Sequence, residues 1–220
     1  MPVTYVAESN ATDLTSGNST TSLTIGIPSG TENNDLMLMV LFTNNAQTVT
    51  APNGWTNVTT YTGYGTLYIR IMYRVAQPGD TSWTWTQSTG DLWSCMIQTY
   101  RRTYSVPGQV VSKGQNGSST TITATGGMTA GTADMHVVWG CLDMTSTHTM
   151  SASGYTGTTQ VTRSYKQIRH FYKPGTGSNE TPVVTFTTAA SGRSAGLVGV
   201  TIYFVGSAGA EGGLFFSNNF

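Results

Sequence analysis

The chain has 220 residues, ten Lys and Arg balanced by ten Asp and Glu, and a charged fraction of 9%, against roughly 25% in an average globular protein. Scattered cations with one adjacent pair, Arg101-Arg102, exclude the phosphate-neutralising face that nucleic-acid binding requires. The lack of an 18-residue apolar run excludes a membrane-spanning helix. What remains is a hydroxyl-rich chain of 40 threonines. Their branched Cβ suits a pleated surface, and low charge suits a protein that lives in an assembly.

Met1-Pro2-Val3-Thr4-Tyr5 has neither a basic nor an apolar leader region, so synthesis and folding in a cytosol are expected. Residues 1–21 are read as an N-terminal arm. Leu36 to Phe42 is apolar on both faces, the mark of a central strand covered on each side. After a Pro52-Asn53-Gly54 turn, Leu67, Ile69, Ile71, Tyr73 and Val75 alternate with Tyr68, Arg70, Met72 and Arg74, a period-2 strand. Trp83 and Trp85 alternate with threonines, and Trp93, Cys95 and Ile97 with Ser94, Met96 and Gln98. Gly114 to Gly131 is a Gly/Ser/Thr-rich stretch between two halves. Further strands follow around Val137, Ile168, Val184 and Val198. Turns punctuate them at Pro28-Ser29-Gly30, Pro78-Gly79-Asp80, Pro107-Gly108, Gly126-Gly127 and Pro174-Gly175. Eight to ten strands are expected, and no window carries a helical stripe.

The second half echoes the first. Asp35 and Asp134 each precede an apolar strand 99 residues apart, Gly54 and Gly154 are 100 apart, and Tyr100 and Tyr203 are 103 apart. The spacing predicts an all-β fold: an antiparallel β-sandwich of jelly-roll type with an internal pseudo-repeat of about 100 residues. The body would span 22–205, built from 22–104 and 118–205. One sandwich or a tightly fused pair is favoured over two separate beads, because a few strands alone cannot cover their own apolar face. Residues 206–220 form a Gly-rich tail, with Leu214, Phe215, Phe216 and Phe220 as candidate contacts to a neighbouring subunit or other partner.

Catalytic and metal-binding patterns are sparse. His136, His148 and His170 lack the close His partners of local metal motifs. A triad of His170, Asp143 and a serine can be assembled only on paper. No catalytic residue, metal ligand or cofactor is assigned. Asp35 and Asp134 are expected to make turn or strand-start hydrogen bonds. Cys95 and Cys141 are read as buried thiols. Trp55, Trp83, Trp85, Trp93 and Trp139 are assigned to core or interface. Tyr61, Tyr64 and Tyr68, around the Gly63–Gly65 turn, are the candidate ligand or partner contacts, with a glycan as the ligand class.

Ala51-Pro52-Asn53-Gly54-Trp55, Tyr73-Arg74-Val75-Ala76, Trp83-Thr84-Trp85 and Tyr100-Arg101, in that order, resemble the jelly-roll modules of virion proteins of tailed bacteriophages. Gly154-Tyr155 matches the degraded second half such modules carry. Arg102 departs from the pattern, because a glycine commonly follows the Tyr-Arg pair. The resemblance implies a non-enzymatic virion structural protein made in the host cytoplasm. A capsid decoration (cement) protein is favoured, homo-oligomeric and preferably trimeric, with the major capsid protein or other virion proteins as partners. The alternative is a tail-associated receptor- or glycan-binding module. Neither reading involves nucleic acid or membrane.

Overall fold

The structure, a computed structural model, describes residues 2–12, 20–43, 48–62, 67–103, 107–116, 119–143, 148–163, 166–187 and 194–204. These residues form an all-β protein in which every strand pairing is antiparallel. The first half contains β1 (Thr4–Thr12), β2 (Thr20–Gly26), β3 (Leu36–Thr43), β4 (Val49–Thr50), β5 (Thr56–Thr62), β6 (Tyr68–Val75), β7 (Ser82–Asp91) and β8 (Trp93–Arg101). The second begins with β9 (Val110–Asn116), β10 (Thr121–Thr123), β11 (Met128–Thr129), β12 (Met135–Asp143), β13 (Met150–Ser151) and β14 (Thr156–Gly157). It continues with β15 (Val161–Arg163), β16 (Lys166–Pro174), β17 (Asn179–Glu180), β18 (Val183–Phe186) and β19 (Ser194–Ile202).

Both halves use one strand order. The first has a large sheet β1-β8-β3-β6-β5 and a small sheet β2-β7-β4; the second has β9-β19-β12-β16-β14, with β15 also on β16, and β10-β18-β13. Register makes the match residue by residue. Leu36 lies opposite Tyr100 and Val75, and Met135 lies opposite Ile202 and Pro174. The structural counterpart of Tyr100 is therefore Ile202. The 103-residue match of Tyr100 with Tyr203 is one residue out of frame, and such a slip puts a side chain on the other face.

Local frames repeat as well. Asp35 accepts from the Glu32 N–H at 2.8 Å and Asp134 from the Gly131 N–H at 2.8 Å, each closing the turn before a central strand as expected. Arg70 and Arg169 donate to the carbonyls of Val49 and Met150, tying each large sheet to its small one. Arg74 pairs with Asp80 and Lys173 with Glu180. Gly54 and Gly154 both hold positive φ, at 86° and 77°, in the preceding turns.

The halves stack as four layers, small-large-large-small. Leu36, Leu38, Val40 and Phe42 of β3 face Val137, Trp139, Cys141 and Ile168 in a central core between the two large sheets. Met37, Met39 and Leu41 point the opposite way into a second core under β2-β7-β4, and Val138, Leu142 and Leu197 into a third under β10-β18-β13. β3 is accordingly buried at every position. All five tryptophans are buried, with Trp55 edge-on to Trp83 and Trp85 at 5.2 Å.

Two expectations change. Most of the stretch read as an arm is strand: β1 pairs along β8 and places Tyr5 at the central core, beside Val3 just before it. The Gly114–Gly131 stretch belongs to the second half, for it contains the end of β9 and all of β10 and β11. The strand count is nineteen among the described residues, not eight to ten, because each half builds its own pair of sheets.

Candidate functional site

The densest set of titratable groups lies between the two large sheets. β1 contributes Tyr5 and Glu8, β8 contributes Gln98 and Tyr100, β12 Trp139, and β16 His170 and Tyr172; Thr158 follows β14. The Tyr100 hydroxyl and His170 Nε2 are 2.6 Å apart and fully buried. His170 Nδ1 lies 3.8 Å from Glu8 Oε2. A bare Nδ1 facing a carboxylate would be repelled, so the ring carries its proton there, and Tyr100 donates to Nε2. Thr158 donates its hydroxyl to Glu8 Oε2 at 2.6 Å, and the Thr159 N–H donates to Oε1 at 3.2 Å. Tyr5 stacks on Tyr172 at 4.7 Å and meets the Tyr100 ring edge-on at 5.9 Å. Alongside, Trp139 Nε1 donates to Gln98 Oε1 at 3.0 Å.

Burial dominates the electrostatics. It pushes the His170 pKa down to about 3, keeping the imidazole neutral. Burial also raises the Tyr100 phenol well above its ordinary value, with Tyr5, Glu8 and Tyr172 adding to it. Glu8 is raised by burial, against the opposing hydrogen bonds of Thr158 and Thr159. Tyr100 and His170 satisfy one another away from solvent, while Tyr5, Glu8, Tyr172 and Thr158 are half-buried at the margin, so the cluster joins the two large sheets. Asp143, the paper partner of His170, instead stands 3.0 Å from Lys166 Nζ, a fully buried ion pair with the ammonium over the Phe42 ring.

The other expected residues are dispersed. Tyr61 on β5 is half-buried against the central core, its ring lying over Gly114. Tyr68 on β6 is buried in the core beneath β2-β7-β4, on the opposite face of the same sheet. These two do not share a platform; Tyr64, Leu214, Phe215, Phe216 and Phe220 lie outside the described residues. His148 is buried at a chain crossing where its backbone bonds Gln160 and Gln167. His136 is fully buried, its pKa lowered chiefly by burial, with neither ring nitrogen hydrogen-bonded. Cys95 and Cys141 are buried in different cores. No three His, Cys, Asp or Glu side chains converge among the described residues.

An open depression lies where the halves join, lined by Glu32, Asn33, Asn34, Asp35, Arg101, Arg102, Thr103 and Phe204. Thr103 bridges to Phe204 there. Arg101 is committed to Asp35, Glu32 and the Gly30 carbonyl. The turn that a glycine would normally make is made by Arg102 itself, at φ 64°, and Asn34 is also left-handed at φ 70°. Sequence reasoning missed Tyr5, Glu8 and Tyr100 as a group because their partners lie 70 residues away for Tyr100 and 150 for Glu8. No family model, curated protein or solved structure matches the chain.

Proposed function

We propose that the chain is a non-enzymatic virion structural protein, a capsid decoration protein that binds the outer surface of a phage head as a homo-oligomer. The observation that carries this reading is the fate of its reactive groups. Among the described residues, the densest constellation of titratable side chains is spent on fastening the two halves together, while the outward faces of the small sheets are rows of hydroxyls. On the first small sheet, exposed Thr24 pairs with Thr84, and Ser22 and Thr50 flank Thr86. On the second, Thr121 and Ser151 flank Thr185. Such neutral surfaces suit extended contact with a coat lattice. Strand order is compatible with this reading: 1-8-3-6 beside 2-7-4 is the order expected of a jelly roll, except that β5 pairs with β6. A tail-associated glycan module is the alternative, but Tyr61 and Tyr68 give it no common face.

The deciding experiment is reconstruction of particles with and without the protein, together with a variant lacking residues 206–220. The expected result is density on the head surface that the truncated protein cannot supply while its body stays folded. Density confined to the tail, or full occupancy by the truncated protein, overturns the proposal or its tail contact respectively.

A further inference from the structure

The large sheets meet with β8 over β16, and β19 approaches the start of β6 at Gly196, which packs on Leu67 and Ile69. At the margins β1 reaches the β14–β15 connection through Glu8 and Thr158, and β5 reaches β9 through Tyr61 and Gly114. Exchange each strand for its counterpart in the other half. β8 over β16 becomes β19 over β6, and β1 beside β14 becomes β9 beside β5. The central contact therefore has the geometry of an isologous dimer, closed within one chain.

An isologous surface fits itself. The first half of one molecule could bind the first half of a second, and likewise for second halves, unless side chains discriminate. They do discriminate at two neighbouring places. By register the counterpart of Tyr100 is Ile202, and that of His170 is Ile71. The hydrogen-bonded Tyr100–His170 pair on one side of the pseudo-dyad thus corresponds to an Ile202 and Ile71 pair on the other. Gln98 and Trp139, bonded to each other, likewise correspond to Val200 and Val40. Were two first halves to associate, each Tyr100 hydroxyl would face Ile71. Were two second halves to associate, each His170 Nε2 would face Ile202. Every such assembly buries orphaned polar atoms, a penalty of roughly tenfold or more for each. Native pairing leaves Tyr100 and His170 satisfied.

We propose that Tyr100 and His170 form a pairing code, which makes each inner sheet accept the other half of the chain and reject a second copy of itself. The partner this surface fits is chemically defined: an apolar sheet bearing one acceptor nitrogen where the other bears one hydroxyl. The code acts through discrimination against wrong partners more than through added affinity.

The test uses the full chain, refolded from denaturant at low and high protein concentration and examined by native mass spectrometry. Tyr100→Ile with His170→Ile makes both sides of the pseudo-dyad alike at this position; Tyr100→Phe removes the hydroxyl that bars the first half from pairing with itself there, and Gln98–Trp139 stays as a constant background in both. Exchange of halves between chains keeps Tyr100 on His170, so the wild type sets that baseline, together with any assembly through outer faces. At high concentration the expected result is a rise of about fivefold or more in additional oligomers for both variants. Should the double variant fail to fold, Tyr100→Phe, which retains the ring, decides alone. Oligomer fractions equal to wild type overturn the code and assign pairing to shape.

Discussion

Acid should loosen this protein through His170, and the size of the effect follows from its burial. The folded pKa is about 3, whereas an unfolded histidine titrates near 6.5. Between those values the unfolded chain binds a proton that the folded chain refuses. Stability from this group is therefore complete above about pH 6.5 and is lost as pH falls toward 3, at roughly 1.4 kcal/mol per pH unit. Lowering pH from about 7.5 to about 4.5 crosses two units of that window, a loss of about 3 kcal/mol. Glu8, raised by burial, acts in the opposite sense near its own titration. His136, lowered chiefly by burial, adds in the same sense as His170. Both remain in a His170→Gln variant, whose amide still offers Tyr100 an acceptor, so the comparison isolates the imidazole. Urea unfolding at the two pH values is the assay. With an m-value of about 3 kcal/mol/M, the wild-type midpoint should fall about 1 M further than that of the variant. Equal falls would refute the reasoning, whatever the variant's absolute stability.

Other consequences divide between the halves. At Gly54 an added Cβ would stand 1.6 Å from Arg74 Nη1, whereas at Gly154 the nearest atom is Lys173 Nζ at 3.9 Å. Gly154→Ala should cost roughly 1 kcal/mol from left-handed backbone alone, and Gly54→Ala clearly more, so a reversed order of thermal midpoints contradicts the packing described. Lys166→Met leaves the Asp143 carboxylate buried without its cation and should cost about 3–5 kcal/mol, most of it recovered by adding Asp143→Leu. No recovery would mean that the pair is not buried as described. Cys95 and Cys141 are fully buried, and burial raises the Cys141 thiol pKa. A thiol reagent should label neither until denaturant is added, and rapid native labelling contradicts the cores assigned to them.

How far the fold can be read from the chain depends on whether a strand's signal is its own. β3 shows continuous apolar character because both faces are covered, and β7 alternates because only its Trp face is. Both were legible. β1 was not, since its register slips between Tyr5 and Ala7 and breaks the alternation. β9 hid for another reason. Gly114 reads as linker, yet it is the position where the Tyr61 ring lies, and an added Cβ would stand 2.7 Å from its hydroxyl. Gly196 and Gly199 in β19 make similar room for Leu67 and Met128. Asp35 and Asp134 were legible because their partners are three residues away. The Glu8–His170–Tyr100 cluster was not, because only the finished stacking of two sheets brings those strands together.

Pairing within each half disposes of most of the charge, which bears on how the proposed attachment would behave. Every described carboxylate is engaged: Glu8 with Thr158, Glu32 and Asp35 with Arg101, Asp80 with Arg74, Asp91 with Thr43, Asp134 with its turn, Asp143 with Lys166, and Glu180 with Lys173. Arg70 and Arg169 are spent on backbone carbonyls. Arg102 and Lys113 are the exposed cations left among the residues whose side chains are described. A surface so depleted of unpaired charge cannot recognise a partner mainly by long-range attraction, which salt screens beyond about 8–10 Å near physiological ionic strength. Contact must rest on hydroxyl hydrogen bonds and apolar burial, which salt hardly weakens. Decoration of particles should therefore change by less than about twofold as salt is raised from 0.05 M toward 0.5 M. An affinity falling tenfold or more over that range would instead place the attachment on Arg102, Lys113 or charges beyond the described residues.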